Sequence, residues 1–171
     1  MRCEKAAMAE NSRTISESIA EAERRGIDII AFPEMSLTGY ADPVRFPEAI
    51  LRLNGAEVAA AVEATSGRQT TVLTGLIEEN PNCKPFITQL VIRNGKLLGY
   101  YRKNTVRGRD EEWFSAGETV PVFTHDGLTF ALAICSDVAT ERVFAECARQ
   151  GARIVFKVAA PGLYGEQADR N

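Results

Sequence analysis

The sequence predicts an α/β layered fold of the α+β kind, a mixed sheet covered by helices. Three observations lead there. Helical stripes alternate with short apolar runs at both ends of the chain. An Asn94-Gly95 pair between two strand-like runs marks a tight hairpin in the middle. No apolar stretch reaches the roughly 20 residues that cross a bilayer, so the apolar runs belong to a core.

Taken in order, Asn11 or Ser12 is placed to cap a helix that runs to about Arg25. Ile15, Ile19 and Ala22 give it one apolar stripe, and Gly26 ends it. Residues 27–32 (IDIIAF) form a short apolar strand broken by Pro33, and a polar, turn-rich loop occupies 34–47. Residues 57–64 read as a second helix, ended before Ser66-Gly67, and 70–77 as a strand. Runs 86–93 and 96–101 flank the Asn-Gly turn. A loop of mixed charge covers 102–119. Runs 120–123 and 128–134 flank a second turn, His125-Asp126-Gly127. A helix over 141–150 is closed by Gly151, a last apolar strand covers 153–159, and 161–171 is irregular. There is no internal repeat and no low-complexity linker, so 1–171 is read as a single domain.

Composition excludes several function classes. A net charge of −3 without a basic stripe argues against nucleic acid. The N-terminus, MRCEKAAMAENSR, lacks the apolar core of a secretion signal. The four cysteines, Cys3, Cys83, Cys135 and Cys147, form no CxxC pair and have no close histidine partners, which argues against a bound metal. The expectation is a cytoplasmic protein with reduced thiols, no membrane association and no cofactor. Cys147 fits the inner face of its helix.

Three polar residues share one kind of position, each just past an apolar strand: Glu34, Lys103 and Cys135. Loops at strand carboxyl ends converge over a rigid frame, which is where sites gather in layered sheets. A thiol there can act as a nucleophile. An ammonium nearby favours the thiolate and can stabilise a developing oxyanion. The chain's single histidine, His125, is expected in a tight turn, so the carboxylate is the candidate proton carrier. Each residue alone also has a plainer reading, as a buried thiol, a loop cap and a solvated lysine.

The local sequences add specificity. FPEMSLTGY around Glu34, YYRKNTV around Lys103 and LAICSDV around Cys135 resemble the three motifs of the carbon–nitrogen hydrolases, the nitrilase superfamily, in the same order. The similarity extends over roughly 11–165, through WFSAGETVPVF and RQGARIVFKVAAPGLYG. The resemblance implies an αββα sandwich and a catalytic triad of Glu34, Lys103 and Cys135. It implies that Glu34 moves protons, Cys135 forms a thioester, and Lys103 with the backbone N–H after Cys135 holds the oxyanion. The family adds a second glutamate near the start of a Glu-x-x-x-Phe pattern. Counting back from Phe114 gives Asp110; Glu111, one residue off but of the right length, is the expected substrate-binding acid, with Glu112 the remaining alternative.

Ser136-Asp137 after the nucleophile resembles the amidase and carbamoylase branches. The expected substrate is therefore a small linear amide or N-carbamoyl compound, handled by a homo-oligomer. The chain departs from the family at both ends: residues 1–10 are too short and polar for the strand that precedes the first helix, and members continue well past residue 165. The sandwich is thus expected to be incomplete, lacking its first strand and C-terminal part. Two other functions stay open: an inactive truncated homologue serving as an interaction module or part of a larger assembly, and a cysteine–histidine hydrolase using His125.

Overall fold

Every residue of the strand β3 (Thr71–Glu78) is buried, because the sheet around it is covered on both faces. The computed structural model describes residues 3–160. Around β3 stand α1 (Met8–Arg24), β1 (Ile29–Ala31), β2 (Ile50–Leu51), α2 (Ala56–Glu63), β4 (Phe86–Arg93) and β5 (Lys96–Arg102). The short α3 (Asp110–Trp113) leads to β6 (Val122–His125), β7 (Leu128–Ile134), α4 (Glu141–Arg149) and β8 (Ile154–Val158).

The first sheet runs β1-β3-β4-β5. β1 lies parallel to one end of β3 and β2 parallel to the other, while β3–β4 and β4–β5 are antiparallel. The second sheet is β6-β7-β8, in which α4 carries the crossover between the parallel strands β7 and β8. Strand alternation divides the core. Val72, Leu76, Leu90 and Ile92 pack with Ile15 and Ile19 of α1 and Val58 of α2. Leu73, Ile77, Ile87 and Val91, on the other face, join Phe123 and Phe130 of the second sheet and Val143 and Cys147 of α4. The layers are helix, sheet, sheet, helix, as expected.

Several expectations are corrected in detail. α1 begins at Met8, ahead of Asn11 and Ser12. Asn11 is a buried clasp and not a cap: it accepts the N–H of Glu4 and donates to the carbonyls of Glu4 and Leu37. Among the described residues none before α1 is in a strand. The stretch 102–119, read as a loop, contains α3, and β2 lies in 48–56, where no element was expected. His125 is the last residue of β6 and not part of the turn, because Asp126 (φ 46°) and Gly127 (φ 84°) make a two-residue connection by themselves. The Asn94-Gly95 turn is built the same way, with φ of 49° and 68°. The tail 161–171 lies outside the described residues.

Gly75 sets how closely the segment after β1 approaches β3. A Cβ there would stand 2.5 Å from the Met35 nitrogen and 2.6 Å from Gln89 Oε1. Leu37 N–H donates to the Gly75 carbonyl, and Gly75 N–H donates to Ser36 Oγ. Gly75→Ala is therefore expected to lower stability by about 1–3 kcal/mol through overpacking. Urea denaturation checks this, and an unchanged midpoint would mean that the loop yields freely.

Candidate functional site

Three strand ends converge. The backbone N–H of Phe32 still pairs with Leu73 beyond β1, and Pro33 then turns the chain so that Glu34 points inward, 1% exposed. Lys103 follows β5 directly; its N–H donates to Ile87 and its carbonyl accepts from Gly117, which fixes the residue at the sheet's end. Cys135 follows β7 and opens a 3-10 helix, Cys135–Ala139. Its φ of 44° is an uncommon left-handed conformation for a residue with a Cβ, found where the surroundings enforce it.

The side chains meet. Lys103 Nζ, 1% exposed, donates at 2.9 Å to Glu34 Oε1 and at 2.9 Å to Asp110 Oδ2. The second oxygen of Glu34 accepts the N–H of Ala160 at 3.2 Å. Tyr40 donates its hydroxyl to the other oxygen of Asp110. The Cys135 thiol lies within hydrogen-bonding reach of Glu34 and feels the charge of Lys103.

These contacts set the protonation states. Burial pushes the Glu34 carboxyl above its usual range, against the pull of Lys103, so Glu34 is more basic than an ordinary carboxylate. Burial works to lower the Lys103 ammonium, but Glu34 and Asp110 outweigh it and hold it above its ordinary value. Burial and then the charge of Glu34 raise the Cys135 thiol, with Lys103 and Lys157 opposing. The resting site thus holds a thiol beside a basic carboxylate. Lys103 pulls toward the thiolate as expected, but burial and the charge of Glu34 outweigh it.

Glu111 does not enter this group. Its side chain is exposed, and its backbone carbonyl accepts from Lys84. Asp110, 8% exposed at the start of α3, is the acid that reaches Lys103; Glu112 is exposed. His125 is also remote. It pairs with Leu128 at the start of β7, whereas Cys135 follows its end, roughly 20 Å away along the strand. Its Nδ1 is hydrogen-bonded to Thr71 Oγ1. A cysteine–histidine arrangement is therefore ruled out by position.

Two residues that sequence reasoning missed are Tyr40 and Asp137. Tyr40 closes the FPEMSLTGY motif, and its place within that motif was the available signal. Asp137, fully buried, accepts from the N–H groups of Thr105 and Ile134 and from the Tyr101 hydroxyl. It thereby ties the turn after Lys103 to the turn bearing Cys135. A cavity of about 220 Å³ is lined by Tyr40 and Asp110. A larger one, about 620 Å³, lies between Val120 and α4 and touches none of these groups. Among the described residues no helix is long and apolar enough to cross a membrane.

Comparison with known proteins follows the same lines. The carbon-nitrogen hydrolase family model matches residues 3–168. The chain is 34% identical over 145 residues to a formamidase of Pseudomonas syringae pv. tomato, covering 82% of this chain and 43% of that protein. It is 31% identical over 156 residues to a formamidase of Allorhizobium ampelinum, covering 89% and 46%. The chain thus spans about half the length of the curated relatives it matches. The fold is similar to that of a nitrilase-superfamily amidase from Nesterenkonia, with a TM-score of 0.82 at 20% identity, over 99% of this chain and 65% of that one. In another structure of that amidase, the acetamide moiety of fluoroacetamide is covalently added at the active-site cysteine. With a family model matched over nearly its whole length, two curated relatives above 30% identity and the layered fold just described, this chain belongs to the carbon–nitrogen hydrolase family.

Proposed function

We propose that the chain carries an amide-hydrolysing site in which Glu34, Lys103 and Cys135 are the catalytic residues. The observation that carries this reading is the buried 2.9 Å contact between Lys103 and Glu34, beside a thiol whose proton Glu34 can take. Glu34 accepts that proton as sulfur attacks the carbonyl carbon of a small amide or N-carbamoyl compound. The carbonyl oxygen becomes an oxyanion beside the Lys103 ammonium and the Ser136 N–H. The C–N bond breaks, and the amine or ammonia leaves with the proton from Glu34. Glu34 then takes a proton from water, hydroxide attacks the thioester, the C–S bond breaks, and sulfur recovers the proton. Asp110 keeps the ammonium oriented and charged. The same reading expects a cytoplasmic homo-oligomer, in which the edge strand β8, with Ile154 exposed, offers apolar surface for a second copy to cover.

Ammonia release from a panel of small amides, formamide included, tests the reading. Release by the wild type and none by Cys135→Ala is expected. No release by the wild type would favour the second reading, a non-catalytic homologue acting within a larger assembly. Glu34→Gln gives an independent check. Both the charge and the hydrogen bond of Glu34 raise the Cys135 thiol, so its removal should shift iodoacetamide alkylation of Cys135 to lower pH while turnover is lost. An unchanged profile would uncouple the two residues.

A further inference from the structure

The cavity beside Tyr40 and Asp110 has a charge balance unlike much of the surface. Elsewhere arginines face carboxylates: Arg13 on Glu17, Arg52 on Glu79, Arg93 on Asp126, Arg149 on Glu146. Lys5, Arg45 and Arg109 line this cavity, and among the described residues none of the three has a carboxylate within ion-pair distance. Two aromatic rings of the same wall hold the guanidiniums without neutralising them. Arg109 lies 4.5 Å from the Trp113 ring centre and Arg45 lies 5.8 Å from that of Phe46. Of the two carboxylates in the wall, Asp110 is committed to Lys103 and Tyr40. Asp42 turns Oδ1 to the N–H groups of Val44 and Arg45 and stands alone against three cations.

Asp110 lines the cavity and bonds Lys103, so the cavity borders the triad, and about 220 Å³ holds only a short chain. We propose that it is the subsite for the far end of the substrate, and that it selects short amides ending in a carboxylate over neutral amides of the same length. This inference rests on the amide-hydrolase reading and deepens it. The aromatic rings suit the methylene linker, and the three cations suit the anionic end. Each cation is solvent-exposed, so single pairs are weak and salt-screened; together they set a preference of roughly fivefold.

The test compares succinamate with its neutral isostere 4-oxopentanamide as protectants of Cys135 against iodoacetamide, read by mass spectrometry of the full chain. Succinamate should reach half-protection at roughly fivefold lower concentration. The ratio should fall to near one in the double variant Arg45→Gln/Arg109→Gln and at about 0.5 M salt. Both side chains are exposed, so the variant should fold, which circular dichroism verifies. Equal protection by the two amides, protection by neither, or a preference unchanged in the variant would each overturn the subsite. Protection needs no turnover. A protein that prefers succinamate but releases no ammonia keeps the subsite and loses the hydrolase reading; one that hydrolyses both amides equally, with equal protection, does the reverse.

Discussion

Lys103→Met is expected to abolish amide hydrolysis and to lower folding stability by about 3–5 kcal/mol at pH 8. The ammonium is 1% exposed and answers two carboxylates at once, Glu34 with a fully buried side chain and Asp110 with 11% exposure. Methionine fills similar volume, so the loss is of charge and not of packing. Two uncompensated negative charges would then share one dry pocket. The chain's escape is to protonate Glu34, whose pKa burial already raises. Without Lys103 that folded-state pKa rises further above its unfolded value. A group shifted this way contributes stability that is fully present below the unfolded pKa and is lost as pH rises through the folded pKa. The variant should therefore be markedly less destabilised at pH 5 than at pH 8. Adding Glu34→Gln should recover most of the stability at pH 8 and none of the activity. Urea denaturation at both pH values checks this. A loss below about 1 kcal/mol, or one independent of pH, would show that the carboxylates are not held by Lys103.

The strand ends were legible in the sequence because each apolar run stops abruptly, and Glu34, Lys103 and Cys135 stand within two residues of those stops. The convergence of Glu34 and Lys103 follows from β3 and β4, which bring the ends of β1 and β5 to the same side of one sheet. The acid that meets Lys103 was less legible, since it depends on helical phase. α3 is a single turn, entered through Gly108 at φ 62°. That left-handed step turns Asp110 toward the lysine and leaves Glu111 and Glu112 in solvent, an arrangement that side-chain length does not foretell. Asn11 shows the opposite limit. A residue type that commonly caps helices is here buried to hold residue 4 and Leu37, a long-range demand no local pattern carries. Tyr40 meets Asp110 from 70 residues away, so only tertiary structure joins them.

Asp137→Asn is expected to cost about 2–4 kcal/mol and to depress kcat by about 100-fold, with a much smaller change in KM. Asp137 takes only donors: Thr105 N–H at 2.7 Å on one oxygen, Ile134 N–H at 2.8 Å and the Tyr101 hydroxyl at 2.7 Å on the other. A carboxylate can serve all three. An asparagine amide must turn an N–H against at least one of them, leaving a buried donor unpaired. The three donors flank the catalytic candidates, since Tyr101 and Thr105 bracket Lys103 and Ile134 precedes Cys135. The left-handed backbone of Cys135 stores strain of about 1–2 kcal/mol, which the Ile134–Asp137 bond helps to hold. Loosening it lets Cys135 relax away from Glu34, a change of position felt in the reaction step more than in binding. Tyr101→Phe separates the two contributions, because it removes one donor and leaves both N–H groups bonded. It should cost about 1 kcal/mol and keep most of the activity. Stability with the rate and pH profile of Cys135 alkylation checks the pair. If Asp137→Asn alkylates and unfolds like the wild type, the carboxylate does not position the nucleophile.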